Sequence, residues 1–180
     1  MDVIAQILSI ISCVAIIFSF QLKNNRHLFL VQTFAAFGFG LSYLFLGAVD
    51  GFLINTVSFI NTVVLLNVKL KKKPVLIAIC IALPLISSIA PLTYTGVWNA
   101  IKILKTVFSY LIAFAQIAYT LATWKDDGKK IRTVRMFLVT PAWLGYNIVV
   151  FSIGGIICEV FNVISIVFSF IRYGKDGFDK

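Results

Sequence analysis

The chain has 180 residues, of which 60% are hydrophobic and only 13% charged, with a mean hydropathy of +0.98 and a net charge of +9. A soluble domain of this size carries roughly 25% charged residues, so the composition excludes a water-soluble globule and leaves an integral membrane protein. The basic excess must therefore be set against membrane topology before nucleic acid is considered as a partner.

A bilayer-crossing helix needs roughly 20 apolar residues, and seven stretches approach that length. In chain order they are 3–20, 28–49, 52–68, 75–92, a span within 106–124, 136–153 and 156–171. The runs are continuously apolar, whereas the strands of a membrane barrel alternate, so helices are expected. Between the first and second spans stands "QLKNNRH", between the third and fourth "KLKKK", and between the fifth and sixth "KDDGKK". With seven crossings, those three loops and the C-terminal tail carry 14 of the 16 basic residues on one side, and Lys102 and Lys105 alone fall on the other. Basic loops stay in the cytoplasm, which predicts an outside N-terminus and an inside C-terminus. The basic loops then read as contacts for anionic lipid headgroups, and nucleic acid is not expected as a partner.

The N-terminus carries Asp2 and no basic region before its apolar run, so it reads as a first span and not a cleaved leader. Cys13, Cys80 and Cys158 fall inside spans with no zinc spacing and read as small apolar residues. Phosphate-loop, HExxH and GxSxG patterns are absent, and no cofactor or metal is expected.

Spans 2 and 3, "LSYLFLGAVDGFLINTVSFINTVVLLNVK", are similar to spans 6 and 7, "LGYNIVVFSIGGIICEVFNVISIVFSFIR". Each has a tyrosine, an apolar half-span, a glycine-bearing turn and a polar triplet at three-residue spacing. The triplets are Asn55, Ser58, Asn61 and Glu159, Asn162, Ser165, each forming a stripe along one helix side. Upstream, "IIFSFQLK" aligns with "AYTLATWK", with one residue more in the second copy. The chain therefore reads as an all-α membrane protein with seven transmembrane helices in a 3-1-3 arrangement. Residues 1–70 form the first three-helix repeat, 71–104 a linker helix and outer loop, and 105–180 the second repeat with a short tail. The odd linker span keeps the two repeats parallel.

The quoted second copy resembles the YgjV-type family of bacterial inner-membrane proteins, and the resemblance covers most of the chain. The 3-1-3 plan also resembles, more distantly, the SWEET and SemiSWEET transporters that share the PQ-loop plan. At the position of their Pro-Gln pair this chain has Phe20-Gln21, and in the second copy Ala122-Thr123. That resemblance implies a solute site using Tyr43 and Asn55 from the first copy. From the second it implies Tyr146 or Asn147, with Trp143 nearby, and Glu159 where the first copy has asparagine.

Glu159 is the residue that an apolar span least explains, since a charged carboxylate at the bilayer centre costs about 2.5–3.5 kcal/mol on insertion scales. Either it faces a polar cavity with Asn162, Asn55 and Ser58 and binds a cation or a proton, or it reaches the outer water or bonds neutrally to another helix. The expected activity is that of a transporter or facilitator of a small polar solute, working by alternating access between the two bundles. The competing expectation is a non-transporting scaffold or regulatory partner. A lipid-active enzyme is disfavoured because Glu159 stands alone. One chain suffices to build the site, and assembly into an oligomer stays open.

Overall fold

The computed structural model describes residues 2–67, 74–88, 100–125 and 127–174. Its helices are α1 (Asp2–Ser19), α2 (Asn25–Phe45), α3 (Val49–Leu66), α4 (Pro74–Ser88), α5 (Ala100–Trp124), α6 (Gly128–Val134), α7 (Thr140–Val149) and α8 (Ile153–Tyr173). A π-helical turn, Arg135–Val139, joins α6 to α7, so residues 128–149 form one rod. No strand occurs among the described residues. With that rod counted as one, the described chain holds seven helical rods. Helices α2, α5 and α8 are each long and apolar enough to cross a membrane, and α1, α3 and α4 are shorter apolar helices.

The helices are inside out relative to those of a soluble bundle. Along α1, Val3, Ile7, Ile11, Val14 and Phe18 point outward and are more than half exposed, while Ala5, Ser9, Ser12 and Ser19 are buried. Along α8, Ile157, Phe161, Ile164 and Phe168 face out, and Gly154, Cys158, Glu159, Asn162, Ser165 and Ser169 face in. Lipid gives large apolar side chains no reason to hide, so small and polar residues form the helix contacts. Tight contacts follow: Gly38 lies against Ser12, and Gly154 against Ser9.

Neighbours in the ring follow chain order. α1 packs on α2, α2 on α3, α3 on α4, α4 on α5, α5 on α7 and α7 on α8. Contacts of α8 with α1 close the ring, and α3 also touches α5 directly. The middle helix of each triplet, α2 or α7, thus packs on both of its partners. The α1–α8 contact pairs the first helix of one triplet with the last of the other, and the α3–α5 contact does the reverse, as an isologous interface would.

The sixth span starts at Gly128, eight residues before the expected Met136, because Asp127 caps it by accepting from the Lys130 backbone N–H at 2.9 Å. This corrects the placing of Arg132 and Arg135 in a loop. Arg132 is fully buried and donates to the carbonyls of Gly128 at 3.1 Å and Leu22 at 2.9 Å, tying the rod to the end of α1. Arg135 lies one turn deeper. α5 begins at Ala100, within the stretch expected to be linker. Pro84 lies inside α4. Tyr94, Trp98, Pro91 and the lysines at 69 and 71–73 fall outside the described residues.

Two matching hairpins set the register of the halves. The Ala48 N–H donates to the Tyr43 carbonyl at 2.9 Å, and the Ser152 N–H to the Asn147 carbonyl at 2.9 Å. These are the long bonds of a Schellman-type helix end. The residue before each donor has positive φ: Gly47 at 71° and Phe151 at 56°. Tyr43 thus corresponds to Asn147, at a separation of 104 residues, and the same separation relates Asn55 to Glu159. At the other end the caps Asn24 and Asp127 are 127 minus 24, or 103, apart. The second copy gains its extra residue between these landmarks, where the π turn occurs, and a π turn absorbs such an insertion.

Candidate functional site

A polar cavity occupies the centre of the ring. It is lined from α2 by Gln32 and Tyr43, from α3 by Asn55, Ser58 and Asn61, from α5 by Gln116, Tyr119 and Thr120, and from the second half by Arg135, Trp143, Asn147 and Glu159. About 70 Å³ is open to the centres of water-sized spheres. One water takes roughly 10–15 Å³ on that measure, so the space holds about five waters or one small solute.

One end of the cavity is closed by aromatic rings. Tyr43 stacks on Trp143 at 5.9 Å between centroids, and Tyr146 meets both edge-on. The Tyr43 hydroxyl donates to Asn147 Oδ1 at 2.5 Å. Behind this lid, fully buried Asp50 pairs with Lys105 at 2.9 Å. From the lid the lining runs towards the opposite end of the ring, reaching Thr62 and Thr123.

The Glu159 carboxylate is not alone. Arg135 Nη2 lies 3.4 Å from Glu159 Oε1, and Asn162 Nδ2 donates to Oε2 at 3.0 Å. Arg135 and Glu159 are 8% and 5% exposed, so the pair is buried in the bundle and meets open space only at the cavity. This corrects the expectation of a solitary carboxylate, and the reason is local. The extra residue of the π turn sits in the middle span, and the true start of that span brings Arg135 inside. On the other wall Tyr119 donates to Gln32 Oε1 at 2.7 Å, and Gln116 to Ser58 Oγ at 2.8 Å. Counted from the helix caps, Gln32 and Arg135 occupy matching positions. The first half therefore presents neutral Gln32 and Asn55 where the second presents charged Arg135 and Glu159.

A family model described as a bacterial inner membrane protein family, Imp-YgjV, matches residues 3–176. The chain belongs to this family. No curated protein and no solved structure matches it. As an Imp-YgjV protein it is a bacterial inner-membrane protein, in keeping with its outward apolar faces.

Of the eight residues expected at a site in this Imp-YgjV chain, Tyr43, Asn55, Ser58, Trp143, Asn147 and Glu159 line the cavity. Tyr146 is fully buried in the lid, and Asn162 is fully buried behind Glu159. Asn55 donates to its own helix at the Gly51 carbonyl, 2.9 Å away. Asn61 of the first triplet reaches Cys80 O on α4 at 3.1 Å, and Ser165 of the second donates to Ile17 O on α1 at 2.8 Å. Arg135, Gln32, Gln116 and Tyr119 were not expected. Gln32 and Gln116 were legible as polar residues inside apolar runs. Arg135 had no such signal because it adjoins a basic cluster in the sequence. Among the described residues no group of three or more His, Cys, Asp or Glu could hold a metal.

Proposed function

We propose that this protein carries or facilitates a small polar solute across the inner membrane, at the cavity between its two three-helix halves. The observation that carries this is the cavity itself: a space sized for several waters, walled by polar groups from both halves, inside a molecule whose outer faces are apolar. A scaffold would need no such space, and unpaired polarity there is costly in a membrane. The repeat supports alternating access. Matching turns, matching triplets and reciprocal α1–α8 and α3–α5 contacts suit two bundles that rock about the site. On the charge rule, the end bearing Lys23, Arg26, Lys129 and Lys130 is cytoplasmic, and the aromatic lid faces outward. The closed lid then corresponds to a state that excludes the outer water.

The test is uptake of small polar solutes into proteoliposomes, with Asn55→Trp as a filled-cavity control. Uptake that stops in the filled variant while the protein stays folded supports the reading. Uptake that survives it shows that the solute does not pass this cavity.

A further inference from the structure

We propose that the site takes a small carboxylate together with one proton, with Arg135 receiving the carboxylate and Glu159 the proton. This rests on the transport reading above and names the substrate class of the same cavity.

The first reason is charge balance. Arg135 and Glu159 form an ion pair, so their charges offset each other. A cationic solute on Glu159 would leave the buried guanidinium uncompensated, and an anion alone would do the same to the carboxylate; uncompensated buried charge is strongly disfavoured. An anion arriving with a proton leaves a guanidinium–carboxylate pair and a neutral acid, so the buried charge remains zero.

The second reason is a pair of unfilled positions beside Glu159. Arg135 Nε is buried with no hydrogen-bond partner, and the Arg135–Glu159 contact is single and long, at 3.4 Å. A guanidinium is built for two parallel bonds to one carboxylate, so this fork is underused. Asn162 Oδ1 is also buried without a partner, while its Nδ2 holds Glu159 Oε2. Rotation of that amide would turn its oxygen to accept from a protonated Glu159. One spare donor and one spare acceptor flank the carboxylate, matching the two species to be taken up. Other titratable groups near it are Cys13 of α1, Tyr43 of α2 and Cys158 of α8, with Tyr119 of α5 near Arg135. None of these is a second carboxylate that would compete for the proton.

The experiment uses the purified full chain in proteoliposomes, with radiolabelled lactate and glycolate as carboxylates, glycine as a zwitterion and glycerol as a neutral solute. Both acids also diffuse into protein-free vesicles as neutral species and reach the same final gradient, so initial rates are compared with those of protein-free vesicles. The expected result is faster accumulation of lactate or glycolate under an inward pH gradient than in protein-free vesicles, lost in Glu159→Gln and in Arg135→Gln. If the single variants fold poorly, Arg135→Gln with Glu159→Asn copies the neutral residues of the first half and should lose the faster accumulation while remaining folded. Faster accumulation that persists in Glu159→Gln or in the double variant would overturn the proposal. So would uptake of glycine or glycerol with neither carboxylate moving, although that leaves the transport reading standing. If none of the four solutes moves, the proposal fails, and the transport reading fails with it if Ser58→Cys labels from neither face, or from one face alone in both the parent and Tyr43→Phe backgrounds.

Discussion

Tyr43 and Asn147 occupy the same position in the two halves of the chain, and they are joined by a 2.5 Å hydrogen bond. Equivalent residues touch each other only where they lie beside the axis that relates the halves. The bond joins the two halves at the aromatic end of the cavity. Tyr43→Phe keeps the ring stack on Trp143 and strands Asn147 Oδ1. A buried acceptor left unmade costs about 1–3 kcal/mol. A lowered unfolding temperature in detergent, together with greater access of outer-face reagents to the cavity, is the expected outcome. An unchanged melting curve would show that the bond contributes nothing to stability, and unchanged reagent access that it contributes nothing to closure.

The two hairpins differ in one costly respect. Gly47 takes its positive φ freely, whereas Phe151 adopts 56° with a bulky side chain that is 83% exposed. A left-handed conformation costs an ordinary residue about 1–2 kcal/mol. Phe151→Gly should therefore stabilise the protein by about 1 kcal/mol, and Gly47→Ala should destabilise it by a similar amount. Thermal unfolding of both variants in the same detergent checks the pair.

Gly51 and Gly155 play matching parts under the lid. A Cβ at Gly51 would sit 2.9 Å from the Tyr43 ring, and one at Gly155 would collide with the Asn147 amide. Both bonded partners would have to move. Gly155→Ala is expected to lower the unfolding temperature and to break the Tyr43–Asn147 bond. A Tyr43→Phe/Gly155→Ala double-mutant cycle measures the coupling, which should be well above zero for residues in one network.

The buried pair gives a further prediction. Removing one partner leaves an uncompensated charge and costs about 3–5 kcal/mol, whereas replacing both can be nearly neutral. Arg135→Gln alone should sharply reduce folded yield, and adding Glu159→Asn should restore much of it. A double variant no more stable than the single would mean that the two charges are not energetically paired.

Outside the membrane, Asp127 supplies a pH-dependent cap. Its side-chain bond with Lys130, 2.7 Å away, holds its pKa below the ordinary carboxylate range, and the Lys130 backbone N–H adds to this. A lowered folded-state pKa contributes stability above the unfolded value of about 3.9, and that contribution is lost as the pH falls through the folded value. Asp127→Ala should cost about 0.5–2 kcal/mol at neutral pH. Asp127→Asn should keep most of the cap and remove its pH dependence, as read from melting curves between pH 3 and 7.

The all-helical membrane fold was legible because apolar length and the placement of basic loops are strong, local signals. The polar triplets were legible for the same reason: Asn55 and Glu159 stand out from their surroundings. Arg135 was not. In sequence it continues the run Lys129, Lys130, Arg132, and only the Asp127 cap and the π turn carry it into the bundle. Its pairing with Glu159 depends on which faces of two separate helices meet, which helical spacing does not specify. The match of Tyr43 with Asn147, in preference to Tyr146, was likewise hidden, because tyrosine aligns with tyrosine by type while the two turns align by hydrogen bonds.

Thiol accessibility reads out whether a solute path runs through a cavity opened to each side in turn. Ser58 lines the cavity beyond the lid, so Ser58→Cys is introduced with Cys13, Cys80 and Cys158 replaced by alanine. A small membrane-impermeant methanethiosulfonate is then applied to right-side-out and inverted inner-membrane vesicles. Labelling is expected from both faces, faster from the face bearing the basic loops, with outer-face labelling accelerated by Tyr43→Phe. Labelling from neither face, or from one face alone in both backgrounds, would contradict such a path.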